Sequence, residues 1–191
     1  MNSYAILLRG VNVGGKNKVP MAELKKCLEQ LGYNSVRTYI ASGNVIVRSD
    51  KSPSLIKKEV EAELPKRFKL DSNLVKILVL SHAQLKAIID NRPKGFGDQP
   101  DTYHSDAIFL MEDLSTDNAL AIFDPRDGVD TIWPGSSVIY SQRVSALRTK
   151  SRLAKIIGTP IYQSMTIRNW NTTVKVLHLL DEAEATDKIK K

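Results

Sequence analysis

The residues best suited to hold an anion fall in two short strings. The first is Arg9-Gly10-Val11-Asn12-Val13-Gly14-Gly15-Lys16-Asn17-Lys18, between an apolar run and a helix that Pro20 opens. Glycines in such a place let backbone N–H groups turn toward an anion, and a helix entrance adds a positive dipole. Arg9, Lys16 and Lys18 would supply charge, Asn12 and Asn17 adaptable polar contacts, and Gly14 and Gly15 close approach. The second string is Thr166-Ile167-Arg168-Asn169-Trp170-Asn171-Thr172, at the entrance of a last helix with Lys175 beyond it. Arg168, Asn169, Asn171 and Thr172 are types that clamp oxyanions or read base edges, although Asn or Thr also caps a helix and Trp170 reads as a core plug. Ser42 and Asn44, in a turn between the two strings, complete the ligand-binding candidates. The two strings are expected to share one site, with Arg9 or Asn12 near Arg168 or Asn169.

Other chemistries find less support. The first string is not a Walker loop, because no Gly-Lys-Ser/Thr follows at the required spacing, and its glycines do not match a dinucleotide fingerprint, so no cofactor is expected. His82, His104 and His178 are isolated and read as structural, and no His/Asp/Glu spacing resembles a metal site. Ser151 and Lys155 share a helical face, but a nucleophilic Ser/Lys pair needs a desolvated lysine. Glu112-Asp113 more simply begins a loop before a helix. Cys27, the one cysteine, permits no internal disulfide, and its spacing from Leu24, Leu28 and Leu31 places it in the core. No catalytic residue follows from these patterns.

Charge is segregated along the chain. Residues 131–180 carry seven Lys and Arg and no Asp or Glu, residues 95–130 one Arg against nine acids, and residues 1–94 seventeen cations against eight acids. An acid-free stretch is a candidate seat for an anion. The acidic block between two basic ones can neutralise them within the chain or across a subunit contact, so nucleic-acid binding does not follow from the net +7 alone. No apolar run reaches the length of a membrane span, and Arg9 interrupts the N-terminal run where a signal peptide would continue. A cytoplasmic protein is expected.

The elements that must position these strings follow from periodicity and caps. Residues 4–11 read as a buried strand, and Met21, Leu24, Leu28 and Leu31 line one face of a helix that Gly32 ends. Residues 36–41 and 45–49 form a hairpin around Ser42-Gly43-Asn44, with Gly43 and Asn44 supplying positive φ. Ser52-Pro53 opens a helix that Pro65 stops or bends, residues 74–80 form a strand, and Ser81 with Gln84 makes a capping box for the next helix. Residues 92–100 are rich in turn formers and make the best linker. Beyond it come a strand at 106–111, a helix from Ser115 and Thr116 to Phe123, strands at 131–133 and 138–141 around Pro134-Gly135, a helix at 145–157 and a weak strand at 161–167. A final helix has Trp170, Val174, Leu177 and Leu180 on one face. The expected class is α+β, two ferredoxin-like split βαβ halves related by internal duplication: 1–91, a linker at 92–104, and 105–191 with the C-terminal helix.

The strings Leu8-Arg9-Gly10-Val11-Asn12-Val13-Gly14-Gly15-Lys16-Asn17-Lys18-Val19-Pro20-Met21, Thr38-Tyr39-Ile40-Ala41-Ser42-Gly43-Asn44-Val45 and 166–172 resemble the bacterial "domain of unknown function 1697" family over nearly the whole chain. Ala41 departs from the glutamine expected there. The resemblance implies a soluble α+β protein and brings no established substrate or catalytic residue. The leading reading is therefore binding of a phosphate-bearing ligand, a nucleotide or single-stranded nucleic acid, by basic loops at helix entrances. A compact ligand is favoured, since extended RNA binding needs exposed aromatics among the cations and the basic third offers chiefly Tyr140 and Tyr162. One alternative is an enzyme acting on an anionic small molecule, with Arg9 and Arg168 as clamps and Lys16 or Lys155 moving a proton. Another is a homo-oligomeric assembly module whose acidic block docks on a neighbour's basic block. No membrane partner is expected.

Overall fold

A computed structural model describes residues 1–70, 75–111 and 114–188, the last three by backbone alone. The chain divides into two units, Met1–Lys86 with Lys175–Lys191, and Ala87–Val174. Each holds a four-stranded antiparallel sheet with helical segments, so the molecule is of mixed α and β structure.

In the first unit the elements run β1 (Asn2–Arg9), α1 (Met21–Gln30), β2 (Asn34–Tyr39), β3 (Asn44–Ser49), α2 (Pro53–Arg67), β4 (Lys76–Ser81) and α3 (His82–Asp90), which crosses into the second unit. The sheet order is β2-β3-β1-β4. β1 lies between two strands and Ser3 to Leu8 are all buried; the alternate residues Tyr4, Ile6 and Leu8 pack with Leu24 and Leu28 of α1 and Ile56, Val60 and Leu64 of α2. Burying each such side chain contributes about 1.5–3 kcal/mol. Cys27 is buried beside them, as its spacing requires. Ser52 Oγ accepts from Leu55 N at 3.3 Å to cap α2. That helix continues past Pro65, since Phe68 N still donates to Leu64 O at 2.9 Å, and the buried Leu64 anchors the turn. The capping box at α3 forms in both directions, Ser81 N to Gln84 Oε1 at 2.9 Å and Gln84 N to Ser81 Oγ at 3.2 Å. Leu74, expected to start β4, lies outside the described residues.

The second unit runs β5 (Tyr103–Leu110), α4 (Thr116–Leu120), β6 (Asp130–Gly135), β7 (Val138–Val144), three 3-10 segments (Ser145–Lys150, Leu153–Gly158, Pro160–Ser164), β8 (Met165–Asn169) and the start of α5 (Trp170–Lys188). Its sheet order is β6-β7-β5-β8. Residues 92–104, expected as a linker, fall inside this unit, where Phe96 meets Trp133, Tyr140 and Trp170 edge-on at 5.8, 5.3 and 5.0 Å. The buried Tyr140 hydroxyl donates to Ile88 O at 2.6 Å.

Several expected elements differ here. The helix at 145–157 is two 3-10 segments: Ser151 breaks the run, and Asp130 Oδ2 accepts from Arg152 N at 2.8 Å, a carbonyl's role in a continuous helix. The strand at 161–167 starts only at Met165, because Thr159 caps a 3-10 turn led by Pro160. Pro134 lies within β6 rather than in the turn, tolerated because β6 is an edge strand, and Ser137 takes the left-handed turn position at φ +59°. In α5 the buried side chains are Trp170, Thr173, Val176, Leu180 and Ala183, while Val174 and Leu177 are half-buried. From Lys175 onward this helix belongs to the first unit, where Glu182 pairs with Arg37 at 2.7 Å and Asp181 with His82 at 2.6 Å. Among the described residues no helix is long and apolar enough to cross a membrane.

Candidate anion-binding site

Two of the three motif strings meet at one edge of the first unit. Leu8 N donates to Gly43 O at 2.8 Å, and Asn12 Nδ2 donates to Ala41 O at 2.8 Å, so the loop after β1 and the β2–β3 turn are tied together. Asn12 also donates to Val19 O at 2.9 Å and accepts from Val19 N at 2.8 Å. Asn17, buried, donates its amide to Gly10 O at 2.8 Å, and its carbonyl accepts from Asn12 N at 3.0 Å. These two asparagines take left-handed backbone angles of +55° and +47°, which asparagine tolerates better than most residues. Their amides therefore build the loop from inside. Asn44 is a builder too: it is fully buried and donates to Tyr39 O and Ser42 Oγ, both at 3.0 Å. It lies in β3, and the positive φ values of this turn belong to Ile40 and Gly43 rather than to Gly43 and Asn44. A Cβ on Gly43 would lie 2.8 Å from Leu8 Cβ and 2.8 Å from Val11 Cγ2, so only glycine lets the two loops close.

What this scaffold presents is Val13, Gly14, Gly15, Lys16 and Lys18 on one loop and Ile40, Ala41 and Ser42 on the other, all exposed. The ammonium groups of Lys16 and Lys18 pair with no carboxylate among the described residues. Arg9 is half-buried at the end of β1, opposite Lys76. Ile40 holds φ at +49°, which for a β-branched side chain costs on the order of 1–3 kcal/mol. Its side chain is nonetheless half exposed, so packing of that side chain does not account for the strain.

The third string belongs to the second unit. Arg168 is buried in β8, and its Nη1 donates to Thr166 Oγ1 and Ile167 O, both at 2.9 Å. Burial pushes its pKa down to about 10, which leaves it a cation at neutral pH. Asn169 caps α5 by accepting from Asn171 N at 3.0 Å and donates to Ser105 O at 3.2 Å. Asn171 is exposed and Thr172 half-buried. Lys155, a candidate for proton transfer, is exposed and donates to Asp124 Oδ2 at 3.1 Å, while Ser151 Oγ accepts from Leu153 N.

The sequence model of the family described as "Protein of unknown function (DUF1697)" matches residues 1–140. This chain belongs to the DUF1697 family. A conserved bacterial protein of Streptococcus pneumoniae has a similar structure, with a TM-score of 0.77 at 29% sequence identity, covering 94% of this chain and 98% of that one. No curated protein matches. The DUF1697 match includes both loops of the exposed edge, whereas residues 166–172 lie beyond it.

One further polar cluster of this DUF1697 chain lies outside the motif strings. A cleft of about 200 Å³ in the second unit is lined by Tyr103, His104, Ser105, Asn169 and Asn171 among others. Behind it His104 Nε2 lies 3.2 Å from Asp106 Oδ1, and Arg143 Nη2 lies 3.6 Å from Asp106 Oδ2. Residues i and i+2 on a strand share a face, and β5 begins at Tyr103, three residues before the strand expected at 106–111. Glu112-Asp113 lie outside the described residues. Among the described residues no group of three or more His, Cys, Asp or Glu is placed to hold a metal.

Proposed function

We propose that this protein binds a compact phosphate-bearing ligand, of nucleotide class, on the exposed edge formed by residues 10–18 and 40–44. The observation that carries this reading is the tie between the loops: the half-buried Asn12 amide bonds one loop to the other, the buried Asn17 amide closes its own loop, and Gly14, Gly15 and Lys16 are left exposed on an edge with Lys18 and no carboxylate of its own. A preorganised loop loses little entropy on binding, and charge-assisted contacts to phosphate are the strong kind. The strained Ile40 supports the same placement, since backbone strain clusters at ligand clamps. The assembly reading loses ground because Asp106, Asp124 and Asp130 of the acidic block bond to Arg143, Arg152 and Lys155 of their own unit. The shared strand order of the sheets, with the first strand of each unit third in both, supports a ferredoxin-like duplication. A single buried cysteine fits a cytoplasmic setting.

The test is a titration with labelled ATP and with a short single-stranded RNA at two salt concentrations. A mononucleotide should show a shallow salt dependence, whereas RNA binding would fall by about 0.7 log units per neutralised phosphate for each tenfold rise in salt. Joint replacement of Lys16 and Lys18 by alanine should weaken ATP binding about tenfold. Lys69→Ala, exposed but outside the edge, should leave it unchanged. Unaltered affinity in the double variant, or no binding of either probe at low salt, overturns the reading.

A further inference from the structure

We infer that the loop edge holds the base of a nucleotide as well as its phosphates, with the exposed side chains of Val13 and Ile40 as the base contact; this rests on the phosphate-binding role proposed for that edge. Val13 is 68% exposed and Ile40 50% exposed. The other exposed large apolar side chains among the described residues are scattered: Met1 at the chain end, Leu55 in α2 and Ile157 in the second 3-10 segment. Val13 and Ile40 instead belong together, since each is the chain neighbour of a residue in the Asn12–Ala41 bond that joins the loops. Phosphate gives no reason to hold two aliphatic groups in water beside lysines, whereas a base brings a face of low polarity for them to cover.

The loop that carries Val13 is a short hairpin. Asn12 N donates to Asn17 O and Lys16 N to Val13 O, both at 3.0 Å, and Gly14 and Gly15 hold φ at +58° and +76°, the left-handed pair of a type I′ turn. Val13 and Lys16 are bridge partners across that turn. Residues directly opposite in an antiparallel pair share a face, with Cβ atoms about 4.5–5.5 Å apart, so the Val13 side chain stands beside the stem of Lys16. The amides of Asn12 and Asn17 are spent on the carbonyls of Val19, Ala41 and Gly10. What remains in water is an aliphatic contact next to an ammonium, and a nucleotide carries the matching pair, a flat ring and a phosphate chain one sugar away. Ile40 supplies the second aliphatic surface under strain, because a turn position at φ +49° suits glycine or asparagine far better than a β-branched residue. A base lying on Ile40 would cover the half of that side chain the free protein leaves in water.

Tripolyphosphate separates the base contact from the phosphate contact, because it has the phosphate chain of ATP and a higher charge but no base or sugar. Titrating each into the protein in a calorimeter, we expect ATP to bind about tenfold more tightly than tripolyphosphate. Val13→Ser combined with Ile40→Asn should cut the ATP affinity about tenfold and leave tripolyphosphate where it was. Asparagine accepts the left-handed angle, so Ile40→Asn alone should raise the urea midpoint read by Cys27 labelling while it weakens ATP. That opposite movement of stability and affinity is not expected of a merely structural isoleucine. ATP no tighter than tripolyphosphate, unchanged ATP affinity in the double variant, an equal loss of both probes in it, or a lowered midpoint in Ile40→Asn would each overturn the base contact and leave the phosphate reading standing. Binding of both probes that survives joint replacement of Lys16 and Lys18 by alanine, or no binding of either probe, overturns both.

Discussion

The two units reach the same strand order by different crossovers. From β3 to β4 the chain passes through α2, fifteen residues that carry their own backbone ladder and bury Ile56, Val60 and Leu64 at a spacing of four. From β7 to β8 it passes through three short 3-10 segments, whose hold depends on side chains from elsewhere. Asp130 accepts from Arg126 N at 3.1 Å and Arg152 N at 2.8 Å, and Asp124 receives both Arg152 and Lys155 at 3.1 Å. A long helix needs its neighbours only for burial, whereas a run of short turns needs them for hydrogen bonds as well.

Both tryptophans, Trp133 and Trp170, lie in the second unit, so their fluorescence reads that unit, while the buried Cys27 reads the first. The largest effect should come from Gly97→Ala. A Cβ there would lie 2.2 Å from Trp170 Cδ1, and the backbone sits at φ +79°. The indole is packed edge-on against Phe96 and Tyr140, so displacing it disturbs both rings, and we expect a loss of about 3 kcal/mol in the fluorescence-detected urea transition. A midpoint unchanged from the parent would show that the aromatic cluster is not the keystone of the second unit.

Asp130→Asn should follow, costing about 2 kcal/mol in the same transition, because two backbone N–H groups lose a charged acceptor. Burial pushes the Asp130 carboxyl up, but the N–H groups of Arg152 and Arg126 and the Ser151 hydroxyl bring it to a net value below the usual range. A carboxyl depressed in the folded state contributes stability above its unfolded pKa of about 3.9, and that stability disappears as pH falls through the folded value. The parent should therefore lose stability more steeply below about pH 4 than the variant does. Parallel acid limbs would remove Asp130 from the account.

This difference also explains what could be read from sequence. In the first unit, Ser52-Pro53, the four-residue apolar spacing of α2 and the Ser81–Gln84 pair are local signals, and local interactions satisfy them. Residues 145–157 carry a helical charge and apolar pattern, yet their partners Asp124 and Asp130 lie more than twenty residues away, beyond any window of periodicity. The candidate edge was legible in its residue types but not in their roles. Asn12, Asn17 and Asn44 looked like ligand contacts, and their amides instead close turns against backbone carbonyls, which requires knowing where Ala41 and Gly10 lie. His104 reads as isolated when the strand is expected to begin at 106, and only the observed start of β5 at Tyr103 puts His104 and Asp106 on one strand face.

The smallest effect should come from a polar cluster in the first unit that looks much like that of Asp130. Tyr33 donates its hydroxyl to Glu59 Oε2 at 2.7 Å, Lys51 reaches the same oxygen at 2.6 Å, and the Lys51 ammonium stands 4.9 Å from the centre of the Tyr33 ring. Lys51 first, and Tyr33 after it, hold the Glu59 carboxyl below the usual carboxylate range against the opposing pull of burial. Here, however, α2 already satisfies its own backbone, and Lys51 and Glu59 remain about one-third exposed, so water replaces what is removed. Tyr33→Phe keeps the ring under the ammonium and leaves Lys51 on Glu59. It should cost no more than about 1 kcal/mol, read in a urea titration of Cys27 labelling rate. If it costs as much as Asp130→Asn, side-chain bonds matter equally in both units and the contrast between a self-sufficient helix and borrowed turns fails.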